Sequence, residues 1–115
     1  MRVTVDKITT WEELDTKKQS ESPLFIFKNS TTCPVSREAF SEVQGFVKSC
    51  DGEAPVVYLN VQEARELSNR IAEEYGVKHE SPQLLLIDDT EVKWHASHWK
   101  ITEKAISRAF SDQTQ

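Results

Sequence analysis

The sequence predicts a single α/β domain, a three-layer sandwich in which a mixed four-stranded sheet is flanked by helices. Three observations carry that expectation. Two short apolar runs without alternation, 24–27 and 55–59, have the pattern of strands covered on both faces. Each is followed by a segment whose apolar residues recur at helical spacing, so the order is strand, helix, strand, helix. Two further runs, 83–87 and 92–96, are joined by a polar turn of hairpin length. A right-handed βαβ unit beside a hairpin, with helices on both faces, satisfies all three. At 115 residues the chain suits one domain, 1–115, since single cores usually run to about 100 to 200 residues.

Each element has a local reason. Thr10-Trp11-Glu12-Glu13 sets a cap residue three positions before a glutamate, so each side chain satisfies an orphan amide of a first turn, and a short helix over about 11–18 follows. The polar stretch 17–22 is expected to be a loop. Leu24-Phe25-Ile26-Phe27, punctuated by Pro23, is the first central strand. After a polar turn over 29–32, Pro34 suits a first helical position, and Val35, Ala39, Phe40, Val43 and Val47 mark a helix that runs until Asp51-Gly52. Pro55-Val56-Val57-Tyr58-Leu59 is the second buried strand. Asn60 can cap the next helix with Glu63 at its third position; Ala64, Leu67, Ile71 and Tyr75 form one face, and Gly76 sits where a helix ends in left-handed geometry. The hairpin turns at Asp88-Asp89-Thr90-Glu91. Thr102 caps a last helix whose Ala105, Ile106, Ala109 and Phe110 share a side. Helix, βαβ, helix, ββα is the thioredoxin architecture.

Composition excludes several function classes. Fourteen Lys and Arg against nineteen Asp and Glu give a net charge of -5, the wrong sign for a nucleic-acid or anionic-membrane partner. The longest apolar run, 24–27, is far below the roughly 18 residues of a membrane span. Residues 1–7 hold no apolar core and no small-residue cleavage site, so a cytoplasmic protein is expected. Two cysteines are too few for a disulfide framework or a four-cysteine zinc site; a cysteine that matters here matters as a reactive thiol.

The informative cysteine is Cys33. At the first turn of the helix after the first central strand, unpartnered amides and the positive end of the macrodipole favour an anion. Bringing a thiol from about 8.5 to about 6 takes roughly 3.4 kcal/mol, and a dipole supplies at most about 2. Charge-assisted hydrogen bonds must supply the rest. Pro34 has no amide, which leaves the amides of Val35 and Ser36 and the Ser36 hydroxyl. A buried, inert thiol is the common fate of a free cysteine, but one set between Ser30-Thr31-Thr32 and Pro34 lies in a polar turn and not on an apolar face.

Ser36 stands where a dithiol oxidoreductase would carry its second cysteine. Cys50 cannot replace it: about 17 helical residues put the two roughly 25 Å apart, whereas a disulfide needs Cα atoms within about 7 Å. Cys50 continues the Val43, Val47 stripe and is expected to be packed and inert. A lone thiolate can attack a mixed disulfide, take the small-thiol half onto its own sulfur and free the client cysteine, after which an external thiol must reduce it. Ser81-Pro82, just before the 83–87 strand, marks an edge or a cis bend; in a thioredoxin-like fold that bend faces the sulfur, and the Ser81 backbone is then free to pair with an extended peptide.

Thr31-Thr32-Cys33-Pro34-Val35-Ser36, Val61-Gln62-Glu63-Ala64-Arg65, Lys78-His79-Glu80-Ser81-Pro82-Gln83, and Val92-Lys93-Trp94-His95 through Ser97-His98-Trp99-Lys100-Ile101-Thr102 together closely resemble the monothiol bacilliredoxins over nearly the whole chain. The resemblance implies a cytoplasmic thioredoxin-fold protein of bacilli and relatives that removes bacillithiol from protein cysteines. Cys33 is then the nucleophile, with Pro34 and Ser36 beside it in the catalytic motif, and Thr32, Val35, Ser81 and Pro82 as substrate-binding residues. Bacillithiol is the redox co-substrate and bacillithiolated proteins are the clients; no bound cofactor, metal, nucleic acid or membrane is implied. The serine at position 36, the stretch 75–82, one residue longer than expected of thioredoxin, and Gln83 after the proline argue against general dithiol reductase activity.

Bacillithiol carries a malate-derived dicarboxylate, which a cation could orient. Lys28, Arg37 and Lys78 are the nearest basic residues, each expected at the solvated surface. His95 and His98, three apart on a strand, would point to opposite faces, which argues against a shared metal. His79, before the proline bend, is a candidate for proton transfer, with simple exposure the plainer expectation. A one-cysteine peroxidase lacks support, since Ile26 stands where its proline would fall seven positions before the cysteine. The other reading is an iron–sulfur cluster-binding or delivery module like a monothiol glutaredoxin, with Cys33 a ligand; Pro34-Val35 departs from the glycine and phenylalanine such proteins favour, and a visible absorption band would mark it. A redox-inert adaptor that keeps only the scaffold is a third.

Overall fold

A computed structural model of the chain describes residues 5–50 and 54–113. The elements follow one another as β1 (Asp6–Lys7), α1 (Trp11–Ser20), β2 (Leu24–Asn29), α2 (Pro34–Ser49), β3 (Val56–Asn60), α3 (Arg65–Tyr75), β4 (Gln83–Asp88), β5 (Glu91–Ser97), a 3₁₀ turn (His98–Lys100) and α4 (Glu103–Gln113). They form the expected α/β sandwich, but the sheet has five strands in the order β1-β3-β2-β4-β5. The added strand, β1, pairs in parallel with β3, Asp6 with Val57 and Lys7 with Tyr58, and the Ile8 amide donates to the Tyr58 carbonyl at 2.8 Å. Its two residues are polar and exposed, and the one sequence cue is the brief alternation of Val3 and Val5 with polar neighbours just before it, which the four-strand expectation left unused.

Side-chain alternation divides the core. Phe25 and Phe27 of β2, Val56 of β3, and Leu84 and Leu86 of β4 face Ala39, Val43, Phe46 and Val47 of α2 and Ile106 and Ala109 of α4. Leu24 and Ile26, Val57 and Leu59, and Leu85 and Ile87 face Leu14 of α1 and Leu67 and Ile71 of α3. β2 is parallel to β3 and antiparallel to β4, with Lys28 opposite Gln83. Both neighbours therefore meet β2 near the end from which the chain enters the Cys33 turn.

The local signals hold in part. Thr10 and Glu13 close the capping box, and Gly76 ends α3 at φ 64°. Thr102 Oγ1 accepts from the Ala105 amide at 3.2 Å. α1 continues through Ser20, so the first part of the 17–22 stretch is helical; with Leu14 its one buried residue, this half has no apolar period to reveal it. Asn60 does not cap α3. Its carbonyl receives the Glu63 and Ala64 amides in a separate turn, and the helix starts at Arg65 with Ala64 at its cap. The hairpin turn is shorter than expected, because Asp88 and Glu91 pair as strand residues and the bend falls on Asp89, at φ 58°. α2 ends at Ser49 with Cys50 at its C-cap; the stop at Asp51-Gly52 lies outside the described residues, as do 1–4 of the amino-terminal reading. No helix among the described residues is long and apolar enough to cross a membrane.

Candidate active site

β2 delivers the chain to a polar turn, and the turn delivers Cys33 to the N-cap of α2. The Asn29 carbonyl accepts the Val61 amide at 2.9 Å, and its side-chain amide donates to Asn60 Oδ1 at 2.8 Å, locking the ends of β2 and β3 together. Gln62 then reaches across: its Oε1 accepts the Thr31 amide at 3.1 Å, and its Nε2 donates to Ser30 Oγ at 2.9 Å and Thr32 Oγ1 at 3.3 Å. The turn before the cysteine is thus clamped by a residue some thirty positions downstream. Gln62 lies in the Val61-Gln62-Glu63-Ala64-Arg65 stretch that carries part of the family resemblance, but its role as a clamp follows only from its placement beside the turn.

Pro34 occupies the first helical position, where its missing amide is no loss. The Ser36 and Arg37 amides turn to the Cys33 carbonyl at 3.1 and 3.4 Å. The Cys33 side chain makes no capping hydrogen bond. Ionised, it gains most from the backbone amide of Ser36, less from that of Val35 and from the Ser36 hydroxyl; these hold the thiol below its ordinary value against an opposing desolvation. Ser36 is fully buried, and its Oγ accepts the Ser30 amide at 3.2 Å, which fixes the hydroxyl beneath the turn.

Cys33 is half-buried and lines a cleft of about 390 Å³ with Ser30, Thr31, Thr32, Arg37 and Gln44. None of the residues lining it is acidic, in a chain with nineteen Asp and Glu. Val35 and Thr32 flank the sulfur in sequence, Val35 half-buried and Thr32 exposed. The Ser81–Pro82 peptide is cis, and the Pro82 carbonyl accepts the His98 amide at 3.0 Å. Since Gln83 follows Pro82 and pairs with Lys28, the bend emerges at the same end of the sheet as the Cys33 turn.

The basic residues separate. Arg37 is exposed at the cleft and Lys78 is exposed away from it. Lys28 is not a surface residue: it is fully buried, because β4 and α3 close over the end of β2. Its amine donates to the Ser68 carbonyl at 3.1 Å and lies 3.3 Å from His79 Nδ1, and burial lowers its pKa to about 8. His79 is exposed, as expected, yet its Nδ1 also lies 3.1 Å from Ser68 Oγ; desolvation and then the charge of Lys28 push its pKa down. His98 has left the strand for the 3₁₀ turn and sits 3.6 Å from Glu80, so strand alternation does not govern its direction relative to His95. Cys50, half-buried against the α2–α4 core, donates its thiol to the Val47 carbonyl at 3.4 Å.

Comparison with known proteins is consistent along the chain. The family model described as monothiol bacilliredoxin BrxC matches residues 5–106. A solved chain described as a candidate oxidoreductase with a thioredoxin fold is 30% identical, with 92% of this chain and 93% of that one covered and a TM-score of 0.86. Thioredoxin from Trypanosoma brucei brucei is 8% identical, with 99% and 96% covered and a TM-score of 0.80. A cysteine-to-serine mutant of Entamoeba histolytica thioredoxin is 16% identical, with 95% and 99% covered and a TM-score of 0.75. The two thioredoxins share the fold with this chain.

Proposed function

Because the chain belongs to the monothiol bacilliredoxin family, we propose that this thiol oxidoreductase frees protein cysteines from mixed disulfides with bacillithiol through the single sulfur of Cys33, in the reducing cytoplasm. The Cys33 thiolate attacks the bacillithiol sulfur of the mixed disulfide. That S–S bond breaks, the client leaves as a thiolate that takes a proton from water, and bacillithiol remains joined to Cys33. An external thiol then attacks the Cys33 adduct, carries bacillithiol away as a new disulfide and restores the thiolate, supplying the two electrons.

One observation carries this reading: the sulfur sits at the open end of α2 where the Ser36 amide favours its anion, and the position one turn on is a serine. Ser36 supports the ion and cannot resolve the adduct. Pro34 starts the helix without competing for the sulfur. The cleft beside Cys33 suits the small-thiol half, with Thr32 and Arg37 in its lining and Arg37 the cation for the dicarboxylate; Val35, outside that lining, is left to the client side. Across the sulfur, Ser81 and Pro82 offer the client an extended backbone partner. Lys28, being buried, takes no part in holding bacillithiol.

The test uses a bacillithiolated client protein, the wild-type chain, and the Cys33→Ser and Cys50→Ser variants, with products weighed as intact masses. Wild type and Cys50→Ser release the client and gain one bacillithiol; Cys33→Ser does neither. Release by Cys33→Ser, or none by Cys50→Ser, overturns the assignment.

A further inference from the structure

Among the described residues Lys28 is the one fully buried lysine, and the reaction above gives it no part. It ends an otherwise apolar run, Leu24 to Phe27, in a central strand. A charge removed from water is strongly disfavoured unless it is paired and hydrogen-bonded. The contacts of its amine are a carbonyl and a ring nitrogen, neither of which neutralises it. An apolar side chain of similar volume would pack here as well or better, so stability does not explain the lysine.

Its contacts suggest what does. The Ser68 carbonyl belongs to α3, but His79 belongs to the segment that leads into the Ser81–Pro82 bend. An ammonium only donates, so His79 Nδ1 accepts and the ring proton rests on Nε2. Gln83, buried and opposite Lys28 in the ladder, donates Nε2 to the Lys78 carbonyl at 2.9 Å. Two successive residues, 78 and 79, are therefore fastened to the sheet by side chains of one cross-strand pair. Strand β2 continues from Lys28 through Asn29 into the turn before Cys33. A single strand thus carries the anchor of the bend and the approach to the sulfur.

We propose that Lys28 is a positioning residue for the client: through His79 its buried amine sets the height of the Ser81–Pro82 backbone against Cys33, so that an extended client segment pairing with Ser81 brings its disulfide within reach. This rests on the reading of Ser81 as the client's pairing site. Lys28 touches neither substrate nor sulfur, so its loss weakens client binding and leaves the chemistry of Cys33 intact.

The experiment compares wild type with Lys28→Met, His79→Leu and His79→Asn, the last keeping an acceptor where Nδ1 stands. Three quantities are read: amide hydrogen exchange over 78–82, KM and kcat for release of a bacillithiolated folded protein, and the rate of Cys33 alkylation by iodoacetamide. In Lys28→Met and His79→Leu, exchange over 78–82 speeds at least about tenfold and client KM rises about tenfold, with kcat and alkylation within about twofold of wild type. His79→Asn returns both altered quantities toward wild type. Should Lys28→Met fail to fold, His79→Leu, altered at the exposed partner, carries the same test. Unchanged exchange, or an unchanged client KM in a wild-type background that releases client, sinks this inference alone. Alkylation slowed as much as client release overturns it too, by showing that Lys28 acts on the sulfur. A wild-type chain that frees no client sinks the functional reading together with this one.

Discussion

Helix α2 carries a cysteine at each end, and the two ends treat the same side chain in opposite ways. At the amino end Cys33 faces amides with no helical partner, and the negative form of its sulfur is stabilised relative to an ordinary thiol. At the carboxyl end Cys50 meets carbonyls, and its thiol donates to Val47. On the function proposed above, one residue type thus serves as a nucleophile or as a packing element according to the polarity of the backbone that receives it. Reactivity here belongs to the place in the fold as much as to the atom.

The largest way to break that contrast is to bring a second sulfur to the amino end. Under a mild oxidant Ser36→Cys should convert essentially completely to an internal disulfide, seen as a loss of two hydrogens in the intact mass, because it restores the Cys-x-x-Cys spacing of a dithiol oxidoreductase at the helix start. Wild type under the same oxidant should form none, its two sulfurs being held roughly 25 Å apart by the helix. An internal disulfide in wild type would show that α2 opens readily and that the ends are not independent.

Stability as a function of pH sharpens the contrast next. The folded Cys33 pKa is depressed, so its stabilising share is full above the unfolded value near 9.0 and is lost as pH falls through the folded value. The urea midpoint of wild type relative to Cys33→Ser should therefore climb with pH up to about 9. Lys28 also adds a rise, in a different window. Its folded pKa of about 8 lies below 10.5, so the unfolded chain holds the extra proton between these values and stability increases from pH 8 to 10.5, by roughly 3 kcal/mol. Running both variants in the Lys28→Met background separates the two. A Cys33-dependent midpoint that is flat with pH would remove the ionised sulfur from the account.

The smallest effect tests the Ser36 hydroxyl, the last of the three supports of the anion. Ser36→Ala keeps the backbone amide, so iodoacetamide should alkylate Cys33 about threefold to tenfold more slowly at pH 7 and at the wild-type rate above pH 9.5. A deficit that persists at high pH would mean that the Ser30–Ser36 hydrogen bond shapes access to the sulfur and not its ionisation.

The elements that hold Cys33 are legible in the sequence because they are local. Apolar runs, helical spacing, the Thr10 box, Pro34 and Gly76 each act within a few residues. What is not legible depends on distant closure. Lys28 looks like the solvated end of a strand until α3 and β4 cover it. Gln62 is an ordinary loop residue until the end of β3 is laid beside that of β2. β1 follows only a brief Val3, Val5 alternation that stops at polar Asp6 and Lys7, and α1 and α3 depart from expectation at ends where polar side chains and turns, not burial, decide the boundary.

The length of α2 has a kinetic consequence. On the reaction proposed above, a chain that keeps its two sulfurs a full helix apart has no first-order way to unload a captured group. Discharge waits on collision, so the lifetime of the loaded form doubles each time the concentration of the awaiting thiol is halved.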